Sequence, residues 1–428
     1  MTHRRLVTSL LLAALLIVSA APYARGGIVR AYFAADDFQW LAGGHTLKWS
    51  RISEVSSREH FYRPVIDAWF TVSVAVCGGA SACYHVASFA VHLLNVALAF
   101  SLALALFRDA RVAFLGTLLF ALEPAYTQAV VWISAITGVL ATAFYLASLV
   151  VQVHSWQART HARRTLYELF AVVAFAGALF SHEAAATLPA IAWIMWRQFG
   201  PGDWIRRPIL VSGSALVLAA FAVTTVLANR RNYVFTGGNF AFGLHAIRHA
   251  FDYFVALYGG PGWWLAYTAC AIGIGLLLIA TPVTRFGTLW LLGTLVPYVW
   301  FTWGNVSRYL YLPSIGFGIA VAGAVVALCD VLVNRLELPR IVGRVVFVLA
   351  VAFVAVRFGR FCGVAAQSQV ANMEYWRTYA SKLAADAPMG AGDTVRVRAP
   401  RDEIVQPMYV EPMLQWVHQN YRLKVVDP

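Results

Sequence analysis

Two aspartates stand side by side in Tyr32-Phe33-Ala34-Ala35-Asp36-Asp37-Phe38-Gln39-Trp40. Adjacent carboxylates among aromatic rings repel, which raises the proton affinity of one of them. A carboxylate tuned upward serves as a general base near neutral pH, and a pair also suits a divalent metal. Taken alone, the dipeptide reads first as a helix N-cap followed by a first-turn acid, since Asp favours both positions. A second cluster, Glu59-His60-Phe61-Tyr62-Arg63-Pro64, precedes an interrupted apolar stretch that fits an amphipathic helix lying along a membrane interface. A third, Ser181-His182-Glu183, sits between two apolar blocks. Each charge there costs roughly 2.5 to 3.5 kcal/mol if it reaches a bilayer centre, so such pairs face a polar cavity or each other. The fourth runs from Asn305 through Arg308 and Tyr309 to Pro313 and Ser314. A guanidinium makes two parallel hydrogen bonds to phosphate, whereas Arg with Tyr also anchors helices at the interface. Arg230 and Arg231 add a cationic pair that suits an anionic ligand.

The elements that must position these residues are apolar helices. The chain has 428 residues, 60% of them hydrophobic and only 12% charged, about half the charge of a soluble domain. Its apolar residues come in blocks near the ~20 residues needed to cross a bilayer. The expected spans are 6–21, 84–107, 112–122, 129–151, 165–180, 184–196, 209–228, 263–280, 286–301, 309–329 and 341–356, an all-α polytopic membrane protein of about eleven helices. The first block is also readable as a signal peptide.

A net charge of +13 would suit nucleic acid if it formed one basic face. Instead the arginines fall in short clusters between blocks, the pattern of cytoplasmic loops. Nucleic acid is therefore excluded as a partner, and the N-terminus is expected in the cytoplasm. The opposite side receives 22–83, 123–128, 181–183, 229–262, 304–308 and the tail after 357, and with them every cluster above. Cys77 and Cys83 flank a small-residue stretch in the first outer segment, as a disulfide loop or as two unpaired residues.

Together these stretches resemble the GT-C membrane glycosyltransferases, nearest the protein O-mannosyltransferase-like branch that includes transmembrane proteins with TPR repeats. The resemblance is carried by the acidic pair, the Tyr62-Arg63-Pro64 element, His85 and His92 followed by Leu93-Leu94-Asn95, and Ala121-Leu122-Glu123-Pro124 running into Gln128-Ala129-Val130-Val131-Trp132. Ser181-His182-Glu183 stands where the family has Ser-Lys-Glu, and Arg308-Tyr309-Leu310-Tyr311-Leu312-Pro313-Ser314 is the most specific match. It covers roughly 36–317.

The resemblance implies sugar transfer from a polyprenyl-phosphate donor to a glycan, lipid or protein acceptor on the outer face of the cell membrane. Asp36 is then the first choice for the base and Asp37 the second, with a divalent metal at the pair left open. Arg308, with Tyr309 beside it, would hold the donor phosphate, with Arg230 and Arg231 in reserve. Arg63, Glu123, Gln128, His182 and Glu183 complete the candidate site. The chain departs from the family where His182 replaces a permanent cation, and where Glu123 and Gln128 replace a His-Pro element followed by Glu. It has no TPR array. A membrane domain over 1–362 with outer loop 22–83 is followed by a small mixed α/β outer domain over 363–428. The rival readings are a transporter or flippase for a lipid-linked sugar, and a non-catalytic envelope assembly protein.

Overall fold

Proline opens four of the apolar helices, Pro64–Cys77, Pro208–Asn229, Pro282–Leu295 and Pro313–Asn334. A missing N–H costs nothing in a helical first turn. The computed structural model describes residues 2–46, 61–202, 207–229, 236–258, 264–302, 304, 306–386, 393–397 and 405–426. Arg230 and Arg231 lie outside the described residues, as do Glu59 and His60.

Among the described residues, seven helical segments are long and apolar enough to cross a membrane: Arg5–Gly26, Ser81–Phe107, Ala110–Val131, Ile133–Trp156, Ile209–Ala228, Pro313–Asn334 and Arg340–Asp386. The other four expected spans are the helices His161–Leu179, Leu188–Phe199, Trp264–Ala280 and Pro282–Leu295, of 19, 12, 17 and 14 residues. Residues 110–156 form the centre of the bundle, whereas Ile209–Ala228 has few buried residues. It packs on His161–Leu179 along one side, as Phe221 does on Phe180, and an apolar helix face left uncovered by protein is one that faces lipid.

Glycine lets the central helices touch. A methyl group at Gly316 would come within 2.5 Å of the Gly287 carbonyl oxygen, and Gly318 meets Gly116 on another side of the same helix. Small residues of this kind let membrane helices pack backbone to backbone. The helix they seat, Pro313–Asn334, begins just after Arg308, so its packing fixes where that arginine stands. At the far end of the bundle, Arg111 bridges Asp109 and Asp330 at 2.8 and 2.9 Å, and Arg207 pairs with Glu168 at 2.7 Å.

The C-terminal part differs from expectation. Arg340–Asp386 is one 47-residue rod, α-helical except for a single π-helical stretch at Val354–Phe358. At 1.5 Å per residue it is about 70 Å long, enough to cross a bilayer and continue beyond it. The expected boundary at 362/363 therefore falls inside a continuous helix, and the appendage follows the rod. That appendage pairs Thr394–Arg396 with Lys424–Val426 in parallel, in the register Val395 to Val425, and packs the helix Val410–Val417 on them. Its small core is Val395, Val410, Leu414 and Leu423. Cys77 and Cys83 are disulfide-bonded across the turn between Pro64–Cys77 and Ser81–Phe107, with Cα atoms 5.5 Å apart.

Candidate active site

The loop carrying the two aspartates is stapled to the bundle by one of them. Asp37 is fully buried; its Oδ2 accepts the Ala34 N–H at 2.8 Å, and its Oδ1 accepts the Ser134 N–H at 2.8 Å and the Ser134 hydroxyl. Trp132 adds a second tie, donating its indole N–H to the Ala34 carbonyl at 3.0 Å. Burial pushes the Asp37 carboxyl up to about 7, against the hydrogen bonds from Ser134 and Ala34, with the charge of Asp36 adding the smallest share. The pair repels as adjacent acids should, but low-dielectric burial dominates.

Asp36 points the other way, into a cavity of 1160 Å³ that Asp37 does not line. The backbone turns at Ala35, a non-glycine residue with φ of +50°. Residues held in this region cost energy and collect at functional sites. The Asp36 Oδ1 accepts the Tyr409 hydroxyl at 2.8 Å. Both Asp37 oxygens already accept protein donors, so the dipeptide does not offer two free carboxylates to one cation. Among the described residues no cluster of three or more His, Cys, Asp or Glu residues is grouped to hold a metal.

Arg308 lines the same cavity. It lies in the short helix Ser307–Leu310, with its guanidinium over the Trp132 ring at 4.9 Å and beside the Tyr309 ring at 5.2 Å. Its Nη1 donates a long 3.4 Å bond to Gln128 Oε1. Among the described residues no carboxylate pairs with it. A partly buried cation resting on aromatic faces, with only a neutral acceptor near, is suited to meet an anion that arrives from outside. Tyr309 stacks on Tyr298 with ring centroids 4.5 Å apart, which holds this wall flat.

Arg63 is matched internally. Its Nε and Nη2 donate to the two oxygens of Glu183 at 2.9 and 2.7 Å. Burial works against the Glu183 charge, but Arg63 and then His182 hold its carboxyl below the usual range. His182 Nδ1 accepts the Ala184 N–H at 3.2 Å, so the neutral ring carries its proton on Nε2. Burial first, then Arg63 and Arg308, lower the His182 imidazole to about 4. At neutral pH this position offers an uncharged donor, where the sequence leaves a pH-dependent cation open.

Glu123 does not reach the cavity. Its Oε1 accepts the Ala125 N–H at 3.1 Å as the cap of the turn Pro124–Tyr126, and its buried Oε2 has no hydrogen-bond partner among the described residues. His85 and His92 are buried in the Ser81–Phe107 helix, where His92 Nδ1 lies 2.8 Å from the Tyr311 hydroxyl. They brace the bundle behind the site.

The structure thus brings Asp36, Arg63, His182, Glu183, Arg308 and Tyr309 to one cavity, with Gln128 just behind Arg308. It turns Asp37 and Glu123 away. It also adds residues that sequence reasoning missed. Asp67 is a buried acid in the first turn of Pro64–Cys77, and its one signal was a carboxylate opening an otherwise apolar helix. Met408 and Glu411 come from the C-terminal appendage and form part of the cavity wall. Nothing local in the sequence marks them.

No protein-family model and no curated protein matches the chain. Solved structures do. ArnT from Cupriavidus metallidurans in the apo state superposes with a TM-score of 0.58 at 14% identity, covering 100% of this chain and 87% of that one. The same protein bound to undecaprenyl phosphate gives 0.57 at 13%, covering 97% and 85%. The apo oligosaccharyltransferase of Archaeoglobus fulgidus gives 0.58 at 11%, with 97% of this chain spanning 64% of that longer one. At these identities the likeness is one of fold. The chain shares with them an all-α, multi-span membrane fold, and it carries a small β-containing C-terminal appendage.

Proposed function

We propose that this protein is an integral membrane glycosyltransferase that moves a sugar from a polyprenyl-phosphate donor to an acceptor on the outer face of the cell membrane. The observation that carries the reading is the meeting of Asp36 and Arg308 on one cavity. One is a carboxylate whose Oδ2 is left for a substrate; the other is a cation with no carboxylate partner among the described residues. ArnT in one superposable structure binds undecaprenyl phosphate, and the archaeal enzyme in another binds dolichol-phosphate and an inhibitory peptide. Lipid-phosphate chemistry is carried over from them to this chain. A cavity of 1160 Å³ exceeds the ~300 to 1,000 Å³ usual for small ligands, which suits a sugar, its phosphate and the start of a lipid.

In the proposed reaction Asp36 takes the proton of an acceptor hydroxyl as that oxygen bonds to the anomeric carbon. The bond from that carbon to the phosphate oxygen breaks, and the polyprenyl phosphate leaves with the electron pair. Arg308 meets the charge that develops there, and the neutral His182 Nε2–H is a further donor nearby. A phosphate leaves without a separate acid, so one carboxylate suffices and the anomeric configuration inverts. The outer-face placement rests on the arginine-rich loops at the opposite side. Placement near the O-mannosyltransferase-like branch rests on the 308–314 motif and the order of the other clusters.

The test is sugar transfer in membranes supplied with a labelled polyprenyl-phosphate sugar, comparing wild type with Asp36→Asn and Arg308→Ala. Loss of transfer in both supports the reading. Wild-type rates in both would overturn it. A mannosyl donor used no better than other hexosyl donors would remove only the finer placement.

A further inference from the structure

We infer that Tyr409, in the C-terminal appendage, is a positioning residue for the Asp36 carboxylate, so that the appendage completes the active site. The inference rests on the reading of Asp36 as the base.

The two residues are 373 positions apart, and the 2.8 Å bond from the Tyr409 hydroxyl to Oδ1 joins the end of the chain to its first loop. A carboxylate on a short stem rotates about two bonds unless something holds it. Here Asp37 and Trp132 anchor the backbone on one side, and the Tyr409 hydroxyl occupies Oδ1 on the other. Oδ2 is the oxygen left for the acceptor proton. Tyr409 is itself fixed, with its ring edge-on to Trp376 of the long C-terminal helix at 5.7 Å. Two further aromatic contacts seat the appendage on this loop and the helix after it: Phe33 to Trp416 at 5.5 Å, and His45 stacked on Tyr421 at 3.9 Å. The hydroxyl thus reaches Asp36 from a surface held at three points. An appendage serving only to dock a partner would have no need to place a donor on the base.

Tyr409→Phe keeps the ring packing and removes the hydroxyl that makes this bond. A carboxylate freed to rotate presents Oδ2 to the acceptor hydroxyl less often, so kcat per folded molecule is expected to be lower by roughly tenfold with KM for the donor unchanged. Counting per folded molecule, from the unfolding transition, keeps a smaller folded fraction out of the comparison. A Tyr409→Phe enzyme with wild-type kcat per folded molecule overturns the inference, as does one in which only the donor KM rises. If Asp36→Asn is also inactive in that experiment, the glycosyltransferase reading stands without it. If Asp36→Asn is fully active, the base assignment falls and the role of Tyr409 with it.

Discussion

Arg63 and Glu183 are separated by 120 residues of chain and meet fork to fork, with bonds of 2.9 and 2.7 Å at the edge of the cavity. The pair clamps the start of the Pro64–Cys77 helix to the turn before Leu188–Phe199. Breaking it strands one charge in a site largely shut from water, which costs roughly 3 to 5 kcal/mol. Arg63→Met and Glu183→Gln are therefore expected to lower the thermal midpoint in detergent by similar amounts. The double substitution should cost less than the two singles added together. Additive losses would mean that the pair does not act as a unit.

The pH dependence of stability separates two buried groups with opposite signs. The His182 imidazole is lowered to about 4 from 6.5, so between those values the unfolded chain binds a proton that the native state does not. Its contribution to stability therefore rises with pH across that window. Asp37, raised to about 7, does the reverse, because the native state holds the proton that the unfolded chain has released. The two oppose each other in the wild type. His182→Asn keeps an oxygen to accept the Ala184 N–H and removes one side. Unfolding midpoints measured at pH 5 and pH 7 should then show the variant gaining relative stability at pH 5.

The neighbouring aspartates should respond differently to the same conservative change. Asp36→Asn removes the proposed base while leaving the loop anchored, so transfer is expected to fall with the unfolding midpoint close to wild type. Asp37→Asn turns an NH2 group toward a donor that the carboxylate accepted, either the Ala34 N–H or those of Ser134. It is expected to cost about 1 to 3 kcal/mol of stability, read as a lower midpoint in the same unfolding assay.

These contrasts bear on what the sequence carried. Apolar block length and arginine spacing outlined the membrane bundle, because hydropathy and charge are local properties. The roles of Arg63, Glu183 and Arg308 were partly legible, since an ionisable residue beside an apolar block needs a partner or a polar cavity. The direction in which each side chain points was not. Asp36 and Asp37 are adjacent in sequence, yet the turn at Ala35 sends one to the cavity and the other to Ser134. Glu123 resembles a site carboxylate by its place before Pro124, but it caps a turn. Tyr409 and Glu411 reach the site only through tertiary packing, and no spacing along the chain encodes that.

Arg308 should be dispensable for folding and needed for transfer. Its described contacts are two aromatic faces and a 3.4 Å bond to Gln128, so Arg308→Met leaves no buried charge stranded. Removing a donor aimed at developing charge costs on the order of 10² to 10³ in kcat. The unfolding midpoint is expected to stay near wild type while transfer from the lipid donor falls by that factor. Arg308→Lys should recover only part of the loss, because an ammonium lacks the fork that bonds two phosphate oxygens at once.

Gly316 sets the position of Arg308 from a distance. A methyl group there would come within 2.6 Å of the Leu291 backbone nitrogen and 2.7 Å of the Trp290 ring. Trp290 in turn donates its indole N–H to the Leu312 carbonyl at 3.0 Å, in the turn that leads from Arg308 into the helix. Gly316→Ala must push either the helix pair apart or Trp290 aside, and overpacking of this kind costs about 1 to 3 kcal/mol. Gly273, in the exposed Trp264–Ala280 helix, has open space where a methyl would go, so Gly273→Ala is the matched control and should be neutral or slightly stabilising. The discriminating measurement is transfer per folded molecule. Gly316→Ala is expected to lose more activity than stability, because the displaced turn carries the phosphate-facing arginine with it. Equal losses in the two would mean that the glycine seats the helix without aiming Arg308.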